Sequence, residues 1–166
     1  MYNARVIPPF SAAGTLPPGI HDAEDWSEVV RRFGGTLRRA ELLGKLRLGL
    51  NSLRDAGCPW VLLDGSFVTS KPDPNDVDGC WQLEPTMDLT RLNPCFLLQR
   101  PFTDKRLQKD LYGMDFYRAN QVEAASGKPF PAFFQTDRQG DARGIVRLVL
   151  AESSGSSTTG NTGARA

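Results

Sequence analysis

Apolar positions along the chain recur with two different periods. Trp26, Val29, Val30 and Phe33 are spaced as one face of a helix, and Gly34-Gly35 stops the run. Asp25, with Glu28 three residues on, forms a capping box at its start. Thr36 is placed to cap a second, longer helix with the stripe Leu43, Leu46, Leu50 and Leu53, ended by Gly57. The pattern then changes. Pro59-Trp60-Val61-Leu62-Leu63 is continuously apolar and reads as a buried strand, and Asp76 to Trp81 alternates as a second. Residues 103–111 read as helix. Gly113 to Tyr117 reads as a third strand, with Met114 and Phe116 alternating with Asp115 and Tyr117. Gly144 to Leu150 is a final strand, with Phe130, Phe133 and Phe134 filling core beside it. The predicted class is α+β, with an N-terminal helical pair.

The flanks carry no such pattern. Residues 1–20, with Pro8-Pro9 and Pro17-Pro18-Gly19, predict an extended arm that packs on the body without forming an element. From Ser153 the chain is Ser, Gly, Thr and Asn with almost nothing apolar, so residues 153–166 are expected to be a disordered tail. Between them, residues 21–152 are expected to form one domain, as a length of 166 residues suits.

Bulk properties narrow the function classes. A net charge of +1 gives no global attraction to nucleic acid or membrane, so any basic surface must be local. The densest basic region runs from Arg31 and Arg32 through Arg38, Arg39, Lys45, Arg47 and Arg54 of the second helix. It reads either as a solvated face or as a surface for a polyanion. Cys58, Cys80 and Cys95, with no CxxC and the single histidine His21, provide neither a disulfide framework nor a zinc site. They are expected to be reduced, buried thiols in a cytoplasmic protein. His21 reads as a loop histidine, which disfavours hydrolases built on a histidine base. No secretory pattern opens the chain and no apolar run approaches a membrane span.

The segment with chemistry in it is Leu62-Leu63-Asp64-Gly65-Ser66 through Asp76-Val77-Asp78. Transfer of a nucleotidyl group needs donors that approach a triphosphate closely. Gly65 removes a side chain at a tight turn after a strand, and Ser66 offers a hydroxyl and an N–H at what is expected to be a helix N-terminus. It also needs carboxylates that project together to hold Mg²⁺. On a strand, i and i+2 share a face, so Asp76 and Asp78 converge while Val77 points to the core. A third carboxylate from a neighbouring strand would complete a two-metal site and accept the proton of the attacking hydroxyl.

The run from Gly65-Ser66 to Asp76-Val77-Asp78 resembles the signature of the polymerase-beta-like nucleotidyltransferase superfamily. More closely, the chain resembles a bacterial and phage-associated group of minimal nucleotidyltransferase-like proteins. That likeness extends over Leu16-Pro17-Pro18-Gly19, Arg32-Phe33-Gly34, Leu63 to Thr69, Asp76 to Trp81, Tyr112-Gly113, Phe133-Phe134-Gln135 and Arg143 to Val146. The resemblance implies a minimal nucleotidyltransferase fold, a mixed β-sheet backed by helices. It implies an NTP donor, with ATP the first choice, and Mg²⁺ or Mn²⁺ as the metal. Relatives include aminoglycoside-modifying enzymes, tRNA-modifying toxins and antitoxins that nucleotidylate a partner toxin. A toxin–antitoxin or phage-defence setting follows by analogy alone.

Gly79-Cys80 departs from that pattern, which continues with bulky aliphatics after the second aspartate. The third carboxylate is assigned to Asp115, mid-strand, ahead of Glu84 and Asp88. Lys71, in the loop between the motif halves, is placed to neutralise a γ-phosphate or to be a solvated loop lysine. Asp64 is read as a structural hydrogen-bonding group, and Thr69 as the cap of a short helix after the turn. With no second domain to hold an acceptor, the expected acceptor is a macromolecule, protein or RNA, on an open face. The expected activity is Mg²⁺-dependent transfer of an NMP from an NTP to that acceptor. The alternative is a non-catalytic relative that keeps the fold as a nucleotide-binding or protein-interaction module. Direct nucleic-acid binding is disfavoured by the near-neutral charge.

Overall fold

The computed structural model describes residues 6–150. The expected tail, residues 153–166, and residues 1–5 of the arm lie outside the described residues. In chain order the elements are β1 (Gly19–Asp22), α1 (Trp26–Phe33), α2 (Leu37–Asp55), β2 (Trp60–Asp64), β3 (Val77–Trp81), α3 (Pro101–Tyr112), β4 (Met114–Arg118), α4 (Phe130–Phe133) and β5 (Gly144–Val149). The five strands form one mixed sheet in the order β1-β5-β2-β3-β4. β2 is antiparallel to both β3 and β5, whereas β1 runs parallel to β5 and β4 parallel to β3. The architecture is mixed α/β, compatible with the α+β expectation. Among the described residues, no helix is long and apolar enough to cross a membrane.

Period-two alternation divides the sheet into two faces. Val61, Leu63, Val77, Trp81, Met114, Phe116, Val146 and Leu148 bury their side chains with Phe33 of α1 and with Leu42, Leu46, Leu50 and Leu53 of α2. Each fully buried leucine there contributes roughly 1.5–3 kcal/mol relative to exposure. The opposite face is covered only in part, by Phe130, Phe134 and Ala119 over Leu62, Cys80 and Ile145. Asp64, Asp78 and Asp115 have the same parity as Leu62, Cys80 and Tyr117, so the acidic residues emerge on this second, half-covered face.

Both helix starts form as the sequence predicts. Asp25 accepts from the Glu28 N–H at 2.9 Å, and the Thr36 side chain accepts from the Arg39 N–H at 3.1 Å. Glu28 itself is buried and reaches further back than a capping box requires. Its carboxylate accepts from the N–H groups of Glu24 and Ile7, both at 2.6 Å, and so ties the N-terminal arm to α1. Ile7 and Leu16 of the arm are buried.

Three expectations need correction. The arm is not free of regular structure, because Gly19–Asp22 adds β1 to the sheet edge beside β5. His21 lies in that strand rather than in a loop, with its Nε2 2.6 Å from the Pro17 carbonyl oxygen. The short helix expected after Gly65-Ser66 is present as a single 3₁₀ turn, Gly65–Val68, with Thr69 as its C-cap. The third correction concerns Arg39, which is buried and not part of a solvated basic face. Its guanidinium donates to the carbonyls of Phe33, Ser66, Phe67, Thr69 and Lys71. Neighbouring Arg38 donates to the carbonyls of Pro74 and Asn75. The basic start of α2 therefore serves as a scaffold for the loop between β2 and β3.

Gly79 has a steric reason to depart from a bulky aliphatic. A Cβ there would collide with the Leu62 carbonyl and lie 2.7 Å from the Phe116 ring, which fills that space from β4. Cys58, Cys80 and Cys95 are all free and buried. Burial pushes the Cys58 and Cys80 thiols up to about 12, which keeps them protonated.

Candidate functional site

Three strands converge on one point. Register places Asp64 of β2 opposite Asp78 of β3, and Asp78 beside Asp115 of β4. Asp76 precedes β3 by one residue and shares a face with Asp78. One carboxylate oxygen from each of Asp76, Asp78 and Asp115 lies within 4.8 Å of the others. Carboxylate oxygens at that spacing could hold a metal ion, and an all-oxygen donor set suits a hard cation.

Gly65 completes the corner. Its φ of +77° is left-handed, and a Cβ would collide with the Asp78 carboxylate. Only glycine lets the 3₁₀ turn close this tightly over the acidic residues. Thr69 closes the turn, donating from both its backbone N–H (3.2 Å) and its hydroxyl (2.7 Å) to the Ser66 carbonyl. The arm supports the same loop, since the Ser70 N–H donates to the Gly14 carbonyl at 2.9 Å.

The charges are unevenly compensated. Lys109 of α3 pairs with Asp76 at 3.0 Å. Lys105, one helical turn earlier, pairs with Asp115 at 2.5 Å and donates to the Tyr117 hydroxyl. Burial alone would lower the Lys105 ammonium, but Asp115 and Tyr117 outweigh it and hold it above its usual value. Hydrogen bonding to Asp76 raises Lys109 as well. Asp64 is buried and bonded by the Arg143 guanidinium, with Arg143 Nε at 3.0 Å. Burial raises the Asp64 carboxyl, and Arg143 works against that rise. Among the described residues no ion pair reaches Asp78. Burial pushes its carboxyl up to about 7, and Asp76, Asp115 and Asp64 add repulsion that Arg143 only partly offsets.

These groups open into a cavity of about 1230 Å³. Gly65, Ser66 and Lys71 line it together with Asp76, Asp78 and Asp115. Tyr117, Val122, Phe130 and Phe133 line it as well, together with polar side chains such as Gln121, Glu123 and Arg138.

The profile of DUF6932, a family of unknown function, matches residues 8–149. The chain belongs to DUF6932. No curated protein and no solved structure matches it significantly.

The structure brings every sequence-predicted site residue of this DUF6932 chain to one cavity. Lys71 lies there with an exposed side chain, its backbone carbonyl held by Arg39. Asp115, not Glu84 or Asp88, is the third carboxylate beside Asp76 and Asp78. Asp88 caps a local turn by accepting from the Thr90 N–H at 3.1 Å, and Glu84 lies 3.4 Å from the Gln82 amide. Asp64 is a structural hydrogen-bonding group, as read from the sequence, but its partner Arg143 was not anticipated. Lys105 and Lys109 were also missed. Their i, i+4 spacing on a predicted helix just before Asp115 was the available signal.

Proposed function

We propose that this DUF6932 chain is a metal-dependent nucleotidyltransferase that moves an NMP from an NTP to a macromolecular acceptor, protein or RNA. The observation that carries the reading is the meeting of Asp76, Asp78 and Asp115 beside the glycine-closed turn at Ser66, in one cavity. Asp76, Asp78 and Asp115 would hold Mg²⁺, which would supply neutralisation of phosphate charge and polarisation of the reacting phosphorus.

The chain's own residues have separate tasks in this reading. Gly65 removes the side chain that would block approach to Asp78. Ser66 donates to phosphate oxygens, and Lys71 at the exposed rim offsets γ-phosphate charge. The acceptor hydroxyl oxygen bonds to the α-phosphorus while the bond from that phosphorus to the pyrophosphate oxygen breaks. Pyrophosphate leaves, and Asp115 takes the hydroxyl proton. Lys105 and Lys109 hold Asp115 and Asp76 in position.

Incubation with each labelled NTP, Mg²⁺ or Mn²⁺ and total cell lysate tests the proposal. Label should move to protein or RNA with wild type and not with the double variant Asp76→Asn/Asp78→Asn. Robust transfer by that double variant would overturn the assignment.

The second reading, a non-catalytic nucleotide-binding module, is favoured by one observation. Lys109 and Lys105 already neutralise two of the three carboxylates without a metal. Nucleotide binding with no label transfer under any metal would support that reading over the first.

A further inference from the structure

The cavity is larger than a triphosphate and metal require. Beside the carboxylates, Ser66 and Lys71, its lining comes largely from the segment between β4 and β5, which brings rings (Phe130, Phe133, Phe134) and polar side chains (Gln121, Glu123, Arg138). Tyr117 lines the same cavity. It follows Asp115 by two residues on the same face of β4, a separation of about 7 Å. Its ring stacks on Phe130, with centroids 4.0 Å apart and planes 12° from parallel. Phe133 meets Phe130 edge-on at 5.9 Å and packs against Phe134 at 5.7 Å. Phe130 and Phe134 are buried beneath, over Leu62, Cys80 and Ile145. Phe133 is only partly buried, and Val122 is 52% exposed. The rings below fix a wall, and Phe133 and Val122 present its accessible surface to the cavity.

We propose that Phe133 and Val122 form the nucleobase-binding wall of the site, taking the planar face of the donor base while its phosphates lie at Gly65-Ser66. This rests on the nucleotide-binding reading above. A base is tethered to its phosphates through one ribose, so it must lie within a short reach of the carboxylates. Tyr117, one same-face residue beyond Asp115, joins the ring cluster that includes Phe133 to the same cavity as the carboxylates. A planar π face against Phe133 releases water from both surfaces and is tolerant of which base is present. The wall therefore supplies affinity for a nucleotide over a bare polyphosphate.

Calorimetric titration with Mg-ATP and with Mg-tripolyphosphate tests this without any acceptor or turnover. Wild type should bind Mg-ATP about tenfold tighter than Mg-tripolyphosphate, the scale of one base–aromatic contact. Phe133→Ala should lose about that factor for Mg-ATP and leave Mg-tripolyphosphate unchanged. Val122→Ser, an uncharged change at an exposed position, should weaken Mg-ATP in the same selective way and covers the case in which Phe133→Ala does not fold. Equal affinity of wild type for the two ligands, or unaltered Mg-ATP affinity in folded variants, overturns the wall assignment and leaves the phosphate site standing. Failure of wild type to bind either ligand overturns the nucleotide reading and the wall with it.

Discussion

Replacing Asp78 with Asn should stabilise the metal-free protein at pH 8 and do almost nothing below pH 4. Asp78 sits between Asp76, Asp115 and Asp64, half-buried, and its carboxyl is held at about 7 instead of the usual 3.8. The folded state therefore binds this proton more tightly than the unfolded chain. Below pH 3.8 the carboxyl is neutral in both states and carries no penalty. Between 3.8 and about 7 the unfolded chain ionises first, so stability falls as pH rises. Above about 7 the loss is complete, and it amounts to at most roughly 4 kcal/mol, with 2–4 kcal/mol a working range after solvent screening. Asn keeps the shape and does not ionise. Urea denaturation in EDTA at pH 4 and pH 8 measures the difference directly. Asp78→Asn should exceed wild type by about 2–4 kcal/mol at pH 8, or roughly 2–4 °C in melting temperature per kcal/mol. Added Mg²⁺ should narrow the gap by stabilising wild type alone, through mass action. A variant less stable than wild type at pH 8, or a difference equal at both pH values, would refute the electrostatic account.

Gly65→Ala places a Cβ against the Asp78 carboxylate at a left-handed φ, and should cost about 1–3 kcal/mol in the same denaturation assay. It should also weaken Mn²⁺ binding by displacing Asp78, as read by titration calorimetry; wild-type stability and affinity in the variant would show the corner is not steric. Arg39→Met strands the carbonyls of Phe33, Ser66, Phe67, Thr69 and Lys71, and should cost about 3–5 kcal/mol. Loss of amide protection in residues 65–76 should accompany it in hydrogen exchange, while a change below about 1 kcal/mol would contradict the scaffold role. Lys109→Met removes the cation on Asp76 and should tighten Mn²⁺ binding severalfold in the absence of nucleotide, since metal and ammonium compete for one carboxylate; weaker Mn²⁺ binding would instead mark Lys109 as a support for the site.

The sequence alone determined α1 to α3, β2 to β5 and most of the acidic corner. The stripe Leu43, Leu46, Leu50 and Leu53 specified α2 because helical spacing puts those residues on one face, and all four are buried. Asp76 and Asp78 could be paired from the sequence because a strand returns to the same face every second residue. Asp115 needed the additional inference that its strand lies beside β3, which the parallel register Asp78 to Asp115 bears out.

Tertiary structure decided the rest, where contacts join residues far apart in sequence and leave no local period. Arg39 has the spacing of a surface residue, yet five carbonyls from the end of α1 and the loop after β2 surround it. The bond between Arg143 and Asp64 spans 79 positions. β1 has too few residues to show an alternation, and it is a strand only because β5 offers an open edge. Gly79 reads as a departure from pattern until Phe116 is seen to fill the space it leaves. The aromatic segment from Phe130 to Phe134 could be read as core, but not as the wall of a cavity. Which side of a ring meets solvent depends on how the half-covered face of the sheet is closed, and no local spacing encodes that.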